Sequence, residues 1–288
     1  MRDDRPSLTA ALVSFSRGAV SRSPQSPCFD PAAVELLPFP WRQWLLLGGA
    51  GPSLQRVSER LARVALGGLA GHVELRTALI DEAVRSALGD PAIRQVVVLG
   101  AGLDARAFRM TELSESDVYE LDHPATQAWK RAGSASLRVL SRSLTFVPVN
   151  FERTSLTEAL ASTAHRPAAP TLWLWEGVTM YLPAAALEAT LDAMAKRSAP
   201  GSRLALTYLP PETLARPRWR PFILPLFHLI REPLVGALTP QQMHERLRAH
   251  GFEVLEDAWP GDHAHRFGRR PLRGPFTPAE RVLVAERR

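Results

Sequence analysis

The chain has 288 residues, 45% of them hydrophobic, and a formal net charge of +6. That length fits one large domain, or one domain with an added cap, and the apolar share supports a sizeable core. A single cysteine, Cys28, excludes an internal disulfide and a cysteine-based metal site, and no apolar run reaches the ~20 residues needed to span a bilayer.

The positive charge does not mark a nucleic-acid surface. Only Lys130 and Lys196 are lysines, and the arginines are scattered among Ala, Leu and Pro. The one local cluster, Arg266, Arg269, Arg270 and Arg273, reads as a solvated loop. The N-terminus lacks a basic-then-apolar signal pattern. The expectation is a cytoplasmic protein with no nucleic-acid or membrane partner.

Residues 1–70 read as helices broken by loops. Residues 8–20 carry apolar side chains at helical spacing. Pro24, Pro27 and Pro31 interrupt the chain beyond that helix, and Asp30 and Pro31 read as the N-cap and first residue of a second helix. Residues 53–66 make a third candidate. Residues 76–88 place Leu79, Ile80, Ala83, Val84, Ala87 and Leu88 on one helical stripe, stopped by Gly89. The first strand is expected at 95–99, a loop and short helix over 103–113, and the second strand at 117–121. A helix over 124–140, weakened by Gly133, leads to a third strand at 145–149. The fourth strand, 171–175, is apolar on both faces, as a central parallel strand requires. A helix over 183–198 and a fifth strand at 203–208 come next.

Residues 209–238 break the alternation. Six prolines lie among Trp219, Phe222, Ile223, Leu224, Leu226, Phe227, Leu229 and Ile230. The segment is too apolar for disorder and has two readings: a proline-kinked helical pair packed on the core, or a lid over an apolar substrate. Thr239 and Pro240 then start a helix that runs to His250 and stops at Gly251. Strands at 252–259 and 281–286 have no convincing helix between them and read as an antiparallel pair. The alternation as a whole indicates an α/β sandwich with a mostly parallel sheet, and ligands then lie at the carboxyl ends of the strands.

One such end is distinctive. Val96 to Leu99 run straight into Gly100-Ala101-Gly102, with Ala105 where a dinucleotide-binding turn allows Gly or Ala. Gly100 lets the chain turn sharply, and Gly102 lets backbone approach a ligand closely. Twenty-two residues after Gly100, Asp122 ends the second strand, placed to accept from a pair of ribose hydroxyls. Its alternative role is a helix N-cap before His123 and Pro124. The turn also contains Asp104, which would repel a pyrophosphate. A nucleoside carrying a positive charge suits it better, and S-adenosylmethionine is such a ligand.

The segment Arg76-Thr77-Ala78-Leu79-Ile80-Asp81, with QVVVLGAGLDARAFRM, YELDHP, FVPVNF and LWLWEGVTMYLP after it, resembles the leucine carboxyl methyltransferase family. It is most similar to the bacterial branch of S-adenosylmethionine-dependent O-methyltransferases. The resemblance is dense over 70–208 and loose over 8–35 and 239–288. It implies the class I methyltransferase, Rossmann-like α/β fold with a seven-stranded, mostly parallel sheet. Residues 1–70 would form an N-terminal helical cap and 71–288 the cofactor-binding domain, with 209–238 as an inserted lid.

The resemblance also assigns residues. Gly100, Ala101 and Gly102 supply backbone near the methionyl portion, and Asp122 accepts from the ribose. Asn150 stands where the family carries an acid that accepts from the adenine amino group; its carbonyl can also accept. Phe151 offers an amide and an apolar surface for the ring, and Glu176 faces the methionyl ammonium. Arg76 is set against carboxylates of cofactor or substrate, for which a guanidinium is suited. Tyr181 takes the substrate side.

Methyl transfer from a sulfonium is an in-line displacement that needs alignment and exclusion of water, and no metal. His263 and His265 have no spaced partner ligand and read as a solvated loop. No Gly-x-Ser-x-Gly elbow supports hydrolysis. The expected function is O-methylation of a small apolar acid or alcohol, such as a polyketide intermediate in natural-product biosynthesis. A carboxylate is favoured because Arg76 is present and His123 is the only histidine in the five motifs. Methylation of a protein C-terminal carboxylate, an NAD(P)-dependent oxidoreductase and a non-catalytic nucleotide-binding protein are the alternatives.

Overall fold

The computed structural model describes residues 7–21, 26–47, 68–151, 154–215, 233–269 and 280–288. The candidate helix 53–66, the centre of the apolar insertion, and Arg270 and Arg273 lie outside the described residues.

Seven strands form one sheet: β1 Gln95–Leu99, β2 Asp117–Asp122, β3 Ser143–Pro148, β4 Thr171–Trp175, β5 Arg203–Tyr208, β6 Phe252–Ala258 and β7 Arg281–Arg287. Their order is β3-β2-β1-β4-β5-β7-β6. The β3-β2-β1-β4-β5 stretch is parallel throughout, whereas β7 pairs antiparallel with both β5 and β6. The chain order reverses between β1 and β4, where a doubly wound sheet opens a crevice at its carboxyl edge. The glycine turn leaves β1 at that edge, and Glu176 leaves β4 beside it.

Strand sequence sets the two layers. Side chains alternate across the sheet. Val97, Leu99, Tyr119, Trp173, Trp175 and Leu206 pack one face against Leu156 and Leu160 of α7 (Leu156–Ala161), Leu187 and Leu191 of α8 (Ala184–Lys196), and Met243 and Leu247 of α10 (Pro240–Ala249). Val96, Val98, Val118, Leu172 and Leu174 pack the other against Leu79, Ile80 and Val84 of α4, Leu69–Leu88. Every residue of β1 and β4 is buried, as their two-sided apolar sequences predict.

Helix α4 starts seven residues before the amphipathic stripe and runs across the expected boundary at residue 70. His72, Glu74 and Arg76 in its first turns are buried, so a search for polar-out periodicity misses that part. Helix α6, Pro124–Gly133, is shorter than expected. A side chain at Gly133 would press on the backbone of Glu35 and Leu36, just past the short helix α2, Ala32–Glu35. Pro31 is the N-cap of that helix rather than its first residue, and Asp30, one residue earlier, accepts from the Ala33 amide at 2.9 Å. Three other helices, α3 (Trp41–Leu47), α5 (Arg106–Arg109) and α9 (Pro211–Ala215), are short. The first helix, α1, spans Leu8–Val20 as its spacing predicts.

Candidate functional site

The glycine turn has the backbone that its sequence suggests. Gly100 and Gly102 sit at φ +62° and +49°, which glycine adopts without a Cβ penalty. A Cβ at Gly100 would collide with the Val178 side chain, and one at Gly102 would lie 3.1 Å from Ala10 Cβ of α1. Helix α1 therefore stands directly on the turn, and a larger residue at Gly102 would displace it.

Asp122 joins the second strand to this turn. Its Oδ2 accepts from the Gly102 amide at 2.5 Å and its Oδ1 from the His123 amide at 2.5 Å. Burial raises its pKa by more than those two amides lower it. The side-chain cap of α6 is made by His123, whose Nδ1 accepts from Ala125 N at 3.3 Å. Asp122 is thus not the residue that caps the helix.

Asp104 lies inside the turn but does not point alone toward a ligand. Its Oδ1 accepts from the Arg106 amide at 2.7 Å, and its Oδ2 pairs with the Arg106 guanidinium. Burial opposes its ionised form, yet Arg106 outweighs burial and holds the carboxyl well below the usual carboxylate range. The charge expected at this position is present but already matched within the protein.

Around it lies a buried network that sequence reasoning did not assemble. Arg106, 2% exposed, reaches Asp81 Oδ1 of α4 at 2.8 Å with Nε and Glu176 Oε2 at 3.0 Å with Nη2. Asp81 also takes both η nitrogens of Arg109, at 2.7 and 2.9 Å. Asp30 sits 3.4 Å from Nε of both Arg109 and Arg17, and Arg17 Nη2 donates to the Leu103 carbonyl at 2.5 Å. On the far side of Glu176, Arg76 places Nε 2.9 Å and Nη2 2.8 Å from Glu176 Oε1. Its Nη1 donates to Glu280 Oε2 at 2.6 Å. His72 Nε2 is 3.2 Å from the same oxygen.

Arg17, Arg76, Arg106 and Arg109 thus face Asp30, Asp81, Asp104, Glu176 and Glu280 in this network, an excess of one negative charge. Burial opposes ionisation of Glu176 and Glu280, but the arginines prevail: both carboxyls are held low, Glu280 at about 2. Burial lowers the His72 pKa despite Glu280, so its imidazole is neutral at neutral pH. Beneath the turn, Lys130 of α6 and Glu120 of β2 form a buried pair. Burial pushes the Glu120 carboxyl up to about 7, over the opposing pull of Lys130.

The structure brings together Arg76 with Glu176 and Gly102 with Asp122, pairs that lie far apart in the chain. Asn150 and the half-exposed Phe151 stand past the end of β3, two strands from β1, and the Asn150 carbonyl accepts from Thr154 N at 2.9 Å. Tyr181 closes the 3₁₀ turn Thr179–Tyr181 after β4. That turn is anchored by Thr179 Oγ1 on the Thr207 carbonyl at 2.6 Å. The returning insertion crosses it: the Val235 and Gly236 amides both donate to the Met180 carbonyl at 2.9 Å. Asp81 and Arg106 lie inside the quoted motifs, and a charged residue within such an apolar segment was the signal available. His72 and Glu280 carry none.

The arrangement has the features that a cationic nucleoside requires: a glycine cradle that a Cβ would fill, a carboxylate at the end of β2 bound to that cradle, and carboxylates at the end of β4. A family model described as leucine carboxyl methyltransferase matches residues 10–195. A protein of Streptomyces coelicolor, described as an S-adenosyl-L-methionine-dependent methyltransferase, is 34% identical over 274 residues, covering 92% of this chain and 87% of that protein. A protein of Mycolicibacterium vanbaalenii with the same description is 31% identical over 252 residues, covering 85% and 76%. In fold, a DUF574-family protein from Streptomyces avermitilis superposes with a TM-score of 0.60 at 15% identity, covering 90% of this chain and 97% of that one.

Proposed function

We propose that this chain, which belongs to the leucine carboxyl methyltransferase family and is an S-adenosylmethionine-dependent methyltransferase, methylates an oxygen of a small apolar acceptor. The acceptor is an acid or an alcohol of the kind met in natural-product biosynthesis, such as a polyketide intermediate. S-adenosylmethionine supplies the methyl group on a sulfonium. The protein's part is to hold, orient and keep water out.

Gly100, Ala101 and Gly102 carry the methionyl side, Asp122 the ribose, and Asn150 and Phe151 the adenine. Glu176 faces the methionyl ammonium, and Asp104, its charge met by Arg106, shapes the turn. Arg76 and Tyr181 flank the reacting oxygen. The single observation that carries this reading is the junction at Glu176, where the end of β4 meets Arg76 and Arg106 beside the glycine turn. Arg76 has five N–H donors; Nε donates to Glu176 and Nη1 to Glu280, and Nη2 lies 2.8 Å from Glu176 Oε1. The guanidinium has more donors than these two carboxylates take, and a ligand oxygen uses the surplus. Read as a lid, the apolar sequence of 209–238 supports an apolar acceptor.

The test is calorimetry with S-adenosylmethionine, then incubation of methyl-labelled cofactor with panels of small apolar acids and alcohols. Labelled methyl should appear on oxygen, read by mass spectrometry of the product. Transfer confined to nitrogen, carbon or sulfur nucleophiles would overturn the O-methyl assignment.

A further inference from the structure

Glu280 lies beyond the residues matched by the family model, at the start of β7, yet it is built into the site. It is 3% exposed. Its Oε2 receives Arg76 Nη1 at 2.6 Å and stands 3.2 Å from His72 Nε2. Its Oε1 is buried and, among the described residues, receives no hydrogen bond. The Thr207 hydroxyl helps to hold this carboxyl low without reaching hydrogen-bond geometry at Oε1. A buried carboxylate oxygen without a donor has lost its hydration and received nothing in exchange.

A second orphan lies on the other side of the Arg76–Glu176 pair. Arg106 Nη2 is buried and sits 3.0 Å from Glu176 Oε2, without the geometry of a hydrogen bond. One anionic acceptor and one cationic donor therefore flank the junction, each with unused capacity. An amino-acid end, with an ammonium and a carboxylate on one carbon, offers a group of the matching charge to each.

We infer that Glu280 is a binding residue for the amino-acid end of the cofactor: Oε2 fixes Arg76, and Oε1 accepts from the α-ammonium. This rests on the reading that Arg76 and Glu176 border the methionyl subsite. It assigns to the C-terminal strand a direct part in cofactor recognition, and it explains why a carboxylate is buried next to Glu176 when one would be enough for Arg76.

The test uses three ligands and calorimetry, with no turnover. S-adenosylmethionine and S-adenosylhomocysteine carry the amino-acid end, and 5′-methylthioadenosine lacks it. In Glu280→Gln, affinity for the first two should fall on the order of tenfold to hundredfold, as for loss of a charged hydrogen bond, while methylthioadenosine binds as to the wild type. Glu280→Asp keeps the charge and should lose less. It serves as the variant of record if melting shows that Glu280→Gln is unfolded. An equal loss for all three ligands would make Glu280 a support of the fold only, and no loss for any would remove it from the site. Either result overturns the inference. Absence of S-adenosylmethionine binding to the wild type would instead strike the cofactor itself.

Discussion

The Asp122 carboxylate accepts the Gly102 amide at 2.5 Å across twenty residues of chain. This contact sets the distance between the end of β2 and the turn after β1. It also aligns the carboxylate: one oxygen faces the turn and the other the His123 amide, and each retains a lone pair. In the proposed cofactor pose the ribose meets an acceptor that is already oriented, so little conformational entropy is lost on binding.

Asp122→Ala should therefore weaken S-adenosylhomocysteine and 5′-methylthioadenosine alike, since both carry the ribose. Two contacts to an ionised acceptor are lost, about 1.5–3 kcal/mol of binding. Calorimetry on the folded variant checks this. An unchanged dissociation constant would reduce Asp122 to a brace for Gly102.

Arg106 should be among the costliest positions to change. It is the shared partner of Asp81, Asp104 and Glu176, and removing one partner of a buried pair leaves an uncompensated charge. Arg106→Met should lose about 3–5 kcal/mol in urea denaturation. Adding Asp104→Asn should recover part of it, because Asp104 has the guanidinium as its close cationic partner, whereas Asp81 keeps Arg109. A double variant no more stable than the single one would show that the Asp104–Arg106 pair contributes little.

The sheet was legible because apolar runs bounded by Gly, Pro and Asp leave few alternatives. Gln95–Leu99, Thr171–Trp175 and Arg203–Tyr208 fall where the runs predict. The β6–β7 pair is antiparallel as expected, and β5–β7 is antiparallel too. Helix α7 was not anticipated, although Ser155 and Glu158 form its capping box. The glycine turn and Glu176 were legible as single residues. Their partners were not: the network joins Asp30, Asp81, Asp104, Glu176 and Glu280 across the whole chain. Charge pairing at long separation has no period to read, and buried His72 and Arg76 even erase the amphipathic signal of their own helix.

Stability should carry a signature of Glu120. Its carboxyl is raised from 4.5 to about 7, first by burial. A raised folded-state pKa means that the native state binds the proton more tightly. The resulting stability is fully present below about pH 4.5 and is lost as pH rises through about 7. Glu120→Gln should flatten this fall in melting temperature across neutrality. A slope identical to that of the wild type would assign the effect to other groups.

The resemblance sets Asn150 where the family carries an acid. If it meets the adenine amino group, Asn150→Asp supplies a charge-assisted acceptor and affinity for S-adenosylmethionine should hold or improve. The Asn150 backbone carbonyl, which anchors Thr154, is untouched by the change. A large loss of affinity in a folded variant would mean that the amide nitrogen donates to another group, and that adenine lies elsewhere.

The nature of the acceptor can be read from pH and Arg76 together. Arg76 is held by Glu176 and Glu280, and Tyr181 lies in the turn just after Glu176. For a carboxylate acceptor, Arg76 orients the nucleophile and offsets its lost hydration, so no base is required. The rate at saturating cofactor should then stay level above about pH 6, where carboxylates are ionised. Arg76→Lys keeps a charge but loses the planar fork, so turnover should fall steeply. Tyr181→Phe, which deletes one neutral donor, should fall less. For a hydroxyl acceptor the rate should climb with pH as the acceptor or a base deprotonates. Neutral, buried His72, whose Nε2 stands 3.2 Å from the Glu280 oxygen that holds Arg76, is the base to test in that case. The expected outcome is the level profile with a slow Arg76→Lys enzyme. A profile that rises through neutrality, with Arg76→Lys turning over normally and His72→Gln abolishing the rise, would assign the acceptor to the hydroxyl class.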